Sequence, residues 1–266
     1  MVIECVINIS EGRDFDLVDE IARAAGSDLL DVHRDADHNR SVITVVGADA
    51  PPAVIKAAVQ RLDLRTHSGV HPRIGVVDVV PFVPLEGSTY DDAVDARDEM
   101  SVWISNELHI PVFLYGPERT LPEIRRGAFT SLLPDLGPTE PHPTAGAVAV
   151  GARELMLAWN LWLSEPDLDL AKSIATSIRG PGVRALGLQV GDQVQVSMNL
   201  IDPLNVGPVE VYDRVAASAP IERAELVGLA PQVLLDAVSE SRWEQLDLSV
   251  ESTIESRLQH RANSGV

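Results

Sequence analysis

The order of predicted elements indicates an α/β (α+β) fold made of two tandem ferredoxin-like βαββαβ subdomains. Short segments rich in β-branched residues alternate with segments whose apolar residues recur every three or four positions. These patterns are typical of strands and of amphipathic helices, respectively. The order strand, helix, strand, strand, helix, strand occurs twice, which is the split βαβ arrangement. A proline-rich segment separates the two copies.

The N-terminal half contains the first copy. Residues 2–9 are rich in β-branched side chains and predict a strand, and Asp14 is a suitable cap for the helix that follows. Pro51 and Pro52 fit the first turn of a second helix. Ser88, with Asp91 three residues later, predicts a capped third helix. The predicted order is strand 2–9, helix 15–25, strands 29–33 and 41–46, helix 51–64, strand 76–83, helix 88–108 and strand 112–115.

The C-terminal half contains the second copy. Residues 117–143 predict a long loop with a short helix at 121–126, because they hold six of the 18 prolines. The predicted order is then strand 152–163, helix 167–178, strands 183–190 and 193–200, helix 209–217, strand 224–229 and helix 233–239. We expect subdomains at 1–143 and 144–266. An amphipathic helix near 249–261 is expected to pack on its own chain or on a second copy.

A short internal similarity supports the duplication. The stretch "SEGRDFDLVDEIA" at 10–22 resembles "SEPDLDLAKSIA" at 164–175 in its residue types.

The composition narrows the class of protein. Aromatic residues make up only 4% of the chain, so its cores must be aliphatic, and no apolar run approaches the roughly 18 residues that span a bilayer. The start has no basic segment typical of a signal peptide, and one cysteine excludes a disulfide framework within the chain. The net charge of −19 repels nucleic acid and anionic membranes. We expect a soluble, cytoplasmic protein without either partner.

The stretch "RTHSGVHPRIGVVDVVPFVP" at 65–84 concentrates cations in this acidic chain. His67 and His71 have the spacing of a metal pair on a helix, but Pro72 disfavours helix at His71, so a metal site is not expected. A histidine at a strand entry suits proton transfer near neutral pH, and Arg65 and Arg73 could bind carboxylates. The alternative is a set of ordinary loop histidines and surface arginines.

The stretch "DVHRDADHNRS" at 31–41 has a similar character. It predicts a turn between two strands and contains His33, His38, Asn39 and Arg40. Asn39 favours turns whatever the function, so a polar hairpin is one interpretation. The other is a second wall of the same pocket.

Several ordered blocks make the chain similar to a known family. They are "ECVINISEG", "HNRSVITVVG", "THSGVHPRIGVVDVVPFVP", "IPVFLYG", "LPEIRRG", "DLGPTEPHP", "VGARELMLAWNLWL" and "VSMNLID". They resemble the formiminotransferase domain of the glutamate formiminotransferases, a family that includes the bifunctional formimidoyltransferase-cyclodeaminases. The resemblance implies two α/β subdomains with a ligand groove between them, commonly in a homodimer. The resemblance covers the formiminotransferase domain alone, so we expect a protein that lacks the cyclodeaminase domain.

The family transfers a formimino group from N-formimino-L-glutamate to tetrahydrofolate, its co-substrate, in histidine breakdown. Its catalytic histidine corresponds to His71, which would carry a proton of the attacking folate nitrogen. No metal is expected, since an amine attacking an amidine carbon needs only proton transfer. The family's folate-binding loop corresponds to residues 137–146. The expected binding residues are Asn8, Ser10, His33, Asn39, Arg40, Arg65, His67, Gly69, Arg73, Gly137, Pro138, Thr139, Glu140, His142 and Gly146.

Some positions depart from the family pattern. His33 and Val70 stand where the family has acidic residues, and Pro141 and Ala145 stand at aromatic positions. Ser68 replaces a lysine, and Glu140 replaces a small hydroxyl residue. Two alternatives therefore stay open: a transferase with another donor, such as formylglutamate, or a non-catalytic binder of folate or another small anion.

Overall fold

The computed structural model describes residues 2–69 and 73–264, and it divides the chain into two compact units at 1–154 and 155–266. Each unit has its own aliphatic core. The predicted division between residues 143 and 144 differs from this one. The reason is the strand Val148–Ala152, which pairs in parallel with strands of the first unit and so belongs to it.

The first unit contains a six-stranded sheet. Its strands are Ile3–Ile9 (β1), Leu29–Asp35 (β2), Arg40–Val46 (β3), Val77–Pro84 (β4), Val112–Tyr115 (β5) and Val148–Ala152 (β6). Its helices are Phe15–Ala22 (α1), Ala50–Arg61 (α2), Tyr90–Trp103 (α3) and Leu121–Gly127 (α4). The strand order is β2-β3-β1-β4-β6-β5. Its first four strands have the ferredoxin-like order, which confirms the predicted fold, and two parallel strands extend the sheet.

The helix starts agree in part with the predictions. The Asp14 side chain accepts the N–H of Leu17 at 3.0 Å, so the predicted cap of α1 is confirmed. The predicted cap of α3 is wrong by one residue, because Thr89 and Asp92 form the reciprocal capping box. Ser88 instead exchanges hydrogen bonds with the backbone of Val2.

The second unit repeats the first four-stranded pattern. Its strands are Leu157–Leu163 (β7), Val183–Val190 (β8), Gln193–Leu200 (β9) and Ile221–Leu226 (β10). Its helices are Leu168–Ile178 (α5), Pro208–Ala216 (α6), Gln232–Asp236 (α7) and Ile254–Ser264 (α8). The strand order is β10-β7-β9-β8, which is the order of the first four strands of the other unit. The tandem βαββαβ fold is therefore confirmed.

Three predicted bounds in this half are wrong. The strand predicted at 152–163 is the end of β6 and all of β7, which belong to different sheets. The strand predicted at 224–229 is β10, which begins and ends earlier. The last helix begins at Ile254, which is buried, and its Glu255 side chain accepts the N–H of Gln232 at 2.8 Å. This helix therefore packs on its own chain, as one of the two predicted interpretations had it.

Within the described ranges, no helix is long and apolar enough to cross a membrane.

Candidate active site

Five described stretches of chain meet at one end of the six-stranded sheet: 10–14, 35–40, 64–69, 73–76 and 142–147. β1 ends there, while β3 and β4 begin there. The N–H of Ser10 donates to the carbonyl of Val76 at 2.8 Å, and the N–H of Leu64 donates to the carbonyl of Thr144 at 2.7 Å. The fold thus brings the cationic segment and the predicted folate loop together, although they are far apart in sequence.

Asn39 connects three of these segments. It is buried, and its φ of 50° lies in the left-handed region that asparagine tolerates better than most residues. Its Oδ1 accepts the N–H of Gly12 at 3.0 Å, and its Nδ2 donates to the carbonyl of Ser68 at 2.9 Å. The same Nδ2 lies 3.3 Å from Nδ1 of His67. The Asn39 amide therefore orients the segment that leads to His71.

A buried acid–histidine pair closes the β2–β3 turn. Asp35 Oδ2 lies 2.5 Å from Nδ1 of His38, and Asp35 Oδ1 accepts the His38 N–H at 2.8 Å. Burial of Asp35 raises its pKa, but the hydrogen bonds from His38 and the charge of Arg40 outweigh burial and lower the pKa of Asp35 to about 2. Arg40, mostly buried, lies 4.0 Å from this carboxylate. The turn is therefore held by an ionised aspartate.

A second buried carboxylate, Asp78, holds two arginines at the start of β4. Arg125 of α4 binds Asp78 with both terminal nitrogens, and Nη1 of Arg73 lies 3.5 Å from Asp78 Oδ2. Asp78 Oδ1 also accepts the N–H of Ile74 at 2.8 Å. Burial raises the pKa of Asp78, and the Arg125 hydrogen bonds outweigh it, so the pKa of Asp78 is lowered and the acid stays ionised.

His67 is half-buried beside this cluster. Burial, and then the charge of Arg73, lower the pKa of His67. The ring is therefore neutral at pH 7, and Nδ1 faces the donor Nδ2 of Asn39. Gly69, two residues later, packs closely against the backbone of His38 and the ring of His67. A β-carbon at Gly69 would lie 2.5 Å from the His38 carbonyl oxygen and 3.0 Å from Nε2 of His67. Only glycine fits this approach, which explains Gly69 without a ligand.

Three other predicted residues lie on or next to the sheet. Asn8 and His33 are both paired with Val42, so their side chains share one face of the sheet. Asn8 is half-buried and donates to the carbonyl of Val6 at 3.2 Å. The Ser10 hydroxyl is buried and donates to the carbonyl of Gly75 at 2.8 Å. Ser10 therefore fastens the cationic segment to the end of β1.

Arg65 is not part of the buried cluster. Its guanidinium is 67% exposed and binds both oxygens of Asp63, its neighbour two residues away. This ion pair lies on the surface, whereas Arg73 is 4% exposed in its side chain. The predicted use of Arg65 as a carboxylate ligand therefore receives no support from its position.

The predicted folate loop has an exposed part and an anchored part. Its exposed residues are Gly137, Pro138, Thr139, Glu140 and Pro141. His142 accepts the N–H of Ala145 at 3.0 Å on Nδ1, so its ring caps its own turn. Gly146 has a φ of 73°, and a β-carbon there would overlap the Ile74 carbonyl. Ala145 is buried, with its carbonyl accepting the N–H of Val76.

Asp78 and Arg125 are not among the site residues that the sequence predicts. A signal for Asp78 was present, because it is the one charge in the apolar run 76–83, and a buried charge needs a partner. Arg125 carries no local signal, since its role depends on where α4 packs. His71 and Val70 lie outside the described residues. In the described part of the chain, no group of three or more histidine, cysteine, aspartate or glutamate side chains could hold a metal ion.

Comparison with known proteins identifies the family. The model of the "Formiminotransferase domain, N-terminal subdomain" matches residues 2–153. The chain is 35% identical to the glutamate formimidoyltransferase of Streptococcus pyogenes serotype M1, over 90% of this chain and 92% of that protein. It is 37% identical to the glutamate formimidoyltransferase of Thermoplasma acidophilum, over 88% and 90%.

A bifunctional protein is also similar. The chain is 34% identical to the formimidoyltransferase-cyclodeaminase of Sus scrofa, over 90% of this chain but 52% of that protein. It thus corresponds to about half of the bifunctional protein and to nearly all of the monofunctional transferases. With a domain match over more than half its length and these identities, the chain belongs to the formiminotransferase family.

Proposed function

We propose that the protein is a glutamate formimidoyltransferase, which moves a formimino group from N-formimino-L-glutamate to tetrahydrofolate. One observation carries this proposal: the chain covers 92% of a monofunctional glutamate formimidoyltransferase at 35% identity. Tetrahydrofolate is then a co-substrate, and the protein acts in histidine breakdown and one-carbon metabolism. A ligand groove between the subdomains, a homodimer and a cytoplasmic location stay predictions.

The reaction requires a proton to move from the attacking folate nitrogen to the leaving glutamate nitrogen. The folate ring nitrogen attacks the amidine carbon and forms a C–N bond, which gives a tetrahedral adduct. The bond from that carbon to the glutamate nitrogen then breaks. A base takes the proton of the attacking nitrogen, and the glutamate nitrogen receives one as it leaves. A neutral imidazole suits this transfer near pH 7. We assign it to His71 from the family motif "HPR".

The buried cations support this assignment of the site. Both reactants are anions and the chain carries a charge of −19, so binding requires a local positive region. Arg40, Arg73 and Arg125 provide one at the sheet end that also carries the segments flanking His71. Held together at one site, the two reactants avoid most of the entropy cost of a bimolecular step.

An altered donor is a second candidate, favoured by one position. His33 replaces a family acid that would face the cationic amidine, and it lies on the same sheet face as Asn8. Ala145 replaces an aromatic residue and is buried, so it offers no stacking surface for folate. A transferase that uses formylglutamate fits the replacement at His33, because its donor is uncharged at the reacting carbon, whereas the replacement at Ala145 concerns the folate.

The test is a turnover assay with purified protein, N-formimino-L-glutamate and tetrahydrofolate. His71→Ala is expected to lower kcat by at least about 100-fold, the scale of general acid–base catalysis. Tetrahydrofolate affinity, measured by calorimetry, should stay unchanged. His260→Ala, an exposed histidine of α8, is the matched control.

Three outcomes would contradict the proposal in different ways. If kcat of His71→Ala stays within tenfold of wild type, the assigned role of His71 is wrong. Turnover with formylglutamate alone would establish the altered donor. Folate binding without turnover of either donor would identify a non-catalytic binder.

A further inference from the structure

One edge of the Arg73 guanidinium makes no hydrogen bond to the described part of the protein. Its side chain is 4% exposed, and its Nη1 lies 3.5 Å from Asp78 Oδ2. Neither Nε nor Nη2 has a hydrogen-bond partner among the described residues. A buried N–H without a partner destabilises the fold, so two on one side chain need an explanation.

The unused atoms form one geometric unit. Nε–H and an Nη2–H point in parallel from the same edge of the guanidinium plane, and this edge matches the two oxygens of a carboxylate. Asp78 does not accept hydrogen bonds from this edge of Arg73, because its oxygens accept from Arg125 and from the N–H of Ile74. The Asp78–Arg125 pair therefore fixes the Arg73 plane and leaves this edge open to a ligand.

The charges of the cluster also favour an anion over a water molecule. Arg73 and Arg125 share the carboxylate of Asp78, and the guanidinium of Arg40 adds a further positive charge that acts on Arg73. Burial, and then the neighbouring guanidiniums, lower the pKa of Arg73 to about 10 although Asp78 opposes them. A bound water could accept from both N–H groups, but it would leave the excess positive charge in place.

We propose that the Nε/Nη2 edge of Arg73 binds a glutamyl carboxylate of a reactant, with Asp78 and Arg125 as positioning residues. The inference rests on the proposed function, in which both reactants carry such a group. One source is the glutamyl part of formiminoglutamate, and the other is the glutamate tail of tetrahydrofolate.

Calorimetry with L-glutamate, tetrahydrofolate and tetrahydropteroate, which lacks the glutamate tail, separates these sources. The variants are Arg73→Gln, which removes the charge, and Arg73→Lys, which keeps the charge but loses the two-pronged edge. Arg126→Gln is the matched control, since Arg126 is exposed in the helix that carries Arg125. Thermal unfolding of each variant shows that the protein tested is folded.

Both Arg73 variants should lose at least about tenfold in affinity for one carboxylate ligand, while Arg126→Gln stays within twofold. A loss with L-glutamate assigns the donor, and a loss with tetrahydrofolate but not tetrahydropteroate assigns the folate tail. In Arg125→Lys, the substrate that carries the assigned carboxylate, N-formimino-L-glutamate or tetrahydrofolate, should show a raised KM with kcat nearly unchanged.

Wild-type affinity for all three ligands in Arg73→Lys would overturn the inference, because a buried water would then explain the edge. The proposed function fails separately. If wild type shows no formimino transfer but binds L-glutamate in an Arg73-dependent way, the transferase assignment is wrong and the carboxylate site stands.

Discussion

Asn39 shows how one side chain can organise a site without contacting a ligand. Its amide holds the Gly12 N–H and the Ser68 carbonyl, and its backbone is left-handed. Asn39→Ala should lower the free energy of unfolding by about 2–3 kcal/mol. It removes both hydrogen bonds, and it places alanine at a positive φ that alanine disfavours more than asparagine does. Urea unfolding measures this change.

Asn39→Gly separates the two causes. Glycine loses the same hydrogen bonds but adopts a positive φ at little cost, so it should be more stable than Asn39→Ala by about 1 kcal/mol. Equal free energies of unfolding for the two variants would show that the positive φ at position 39 does not add to the cost of Asn39→Ala.

Asp35 predicts a pH dependence of stability. Its pKa is about 2 in the folded protein, below the value of about 3.9 usual for an unfolded chain. Its stabilising contribution is therefore complete above pH 4 and is lost as the pH falls towards 2, about 2 kcal/mol in all. The stability difference between wild type and Asp35→Asn should shrink over that range in urea titrations.

Asp37 supplies the control, because it is exposed in the same turn. The effect of Asp37→Asn on the free energy of unfolding should stay small. A difference between wild type and Asp35→Asn that does not change with pH would contradict the ionised buried pair.

At this scale the sequence predicted residue types better than contacts. Asn39 and Arg73 were identified as candidates, and both lie in the cluster. Their partners could not be found, since Asp78 and Arg125 are 47 residues apart and meet only after α4 packs on the sheet. Arg65 was chosen by charge alone, and local pairing with Asp63 decides its position instead.

Among the elements, β8 and α5 of the second unit give a sharp prediction about packing. A β-carbon on Gly187 of β8 would overlap the backbone of Ala171 and Lys172 in α5. Gly187→Ala should therefore lower the free energy of unfolding by about 2 kcal/mol or more, because backbone cannot move aside as a side chain can. Chemical denaturation of the full chain tests this.

Gly180→Ala is the matched control. A β-carbon at Gly180 would meet no atom within 4 Å. Its effect should stay within about 0.5 kcal/mol, as for other surface changes. If both variants unfold alike, the close approach of α5 to β8 is not what makes Gly187 necessary.

Element types followed from sequence periodicity, whereas some element ends did not. The side chains of Asp14 and Asp167 each accept the backbone N–H of the residue three positions later, so the two similar stretches lie at equivalent helix starts. The α3 cap was misplaced because Ser88 and Thr89 are both good caps, and only the bond of Ser88 to Val2 separates them. The division at β6 was missed because pairing with β4 is a long-range contact.

For the whole molecule, the charge of −19 predicts an unusual salt effect on binding rate. Long-range repulsion slows the approach of an anionic folate, and salt screens it, since the screening length is only about 10 Å at 0.1 M. Raising sodium chloride from about 20 to about 200 mM should therefore speed tetrahydrofolate association in stopped-flow measurements.

A neutral tetrahydropterin without the glutamate tail should associate at a rate that barely changes with salt. A folate association rate that falls with salt would mean that the local cluster, rather than the net charge, governs the approach.

The segment that leads into β4 has a consequence for how new specificities arise. On one side of this segment, Ser10 donates hydrogen bonds to the carbonyls of Gly75 and Val76. On the other side, the N–H of Ala147 donates to the carbonyl of Ile74. A chain fastened along both flanks leaves no room for added or deleted residues without shifting its neighbours. Descendants of this sequence would diversify here by exchanging side chains one at a time, and would vary in length at exposed turns such as the one at Glu86 and Gly87.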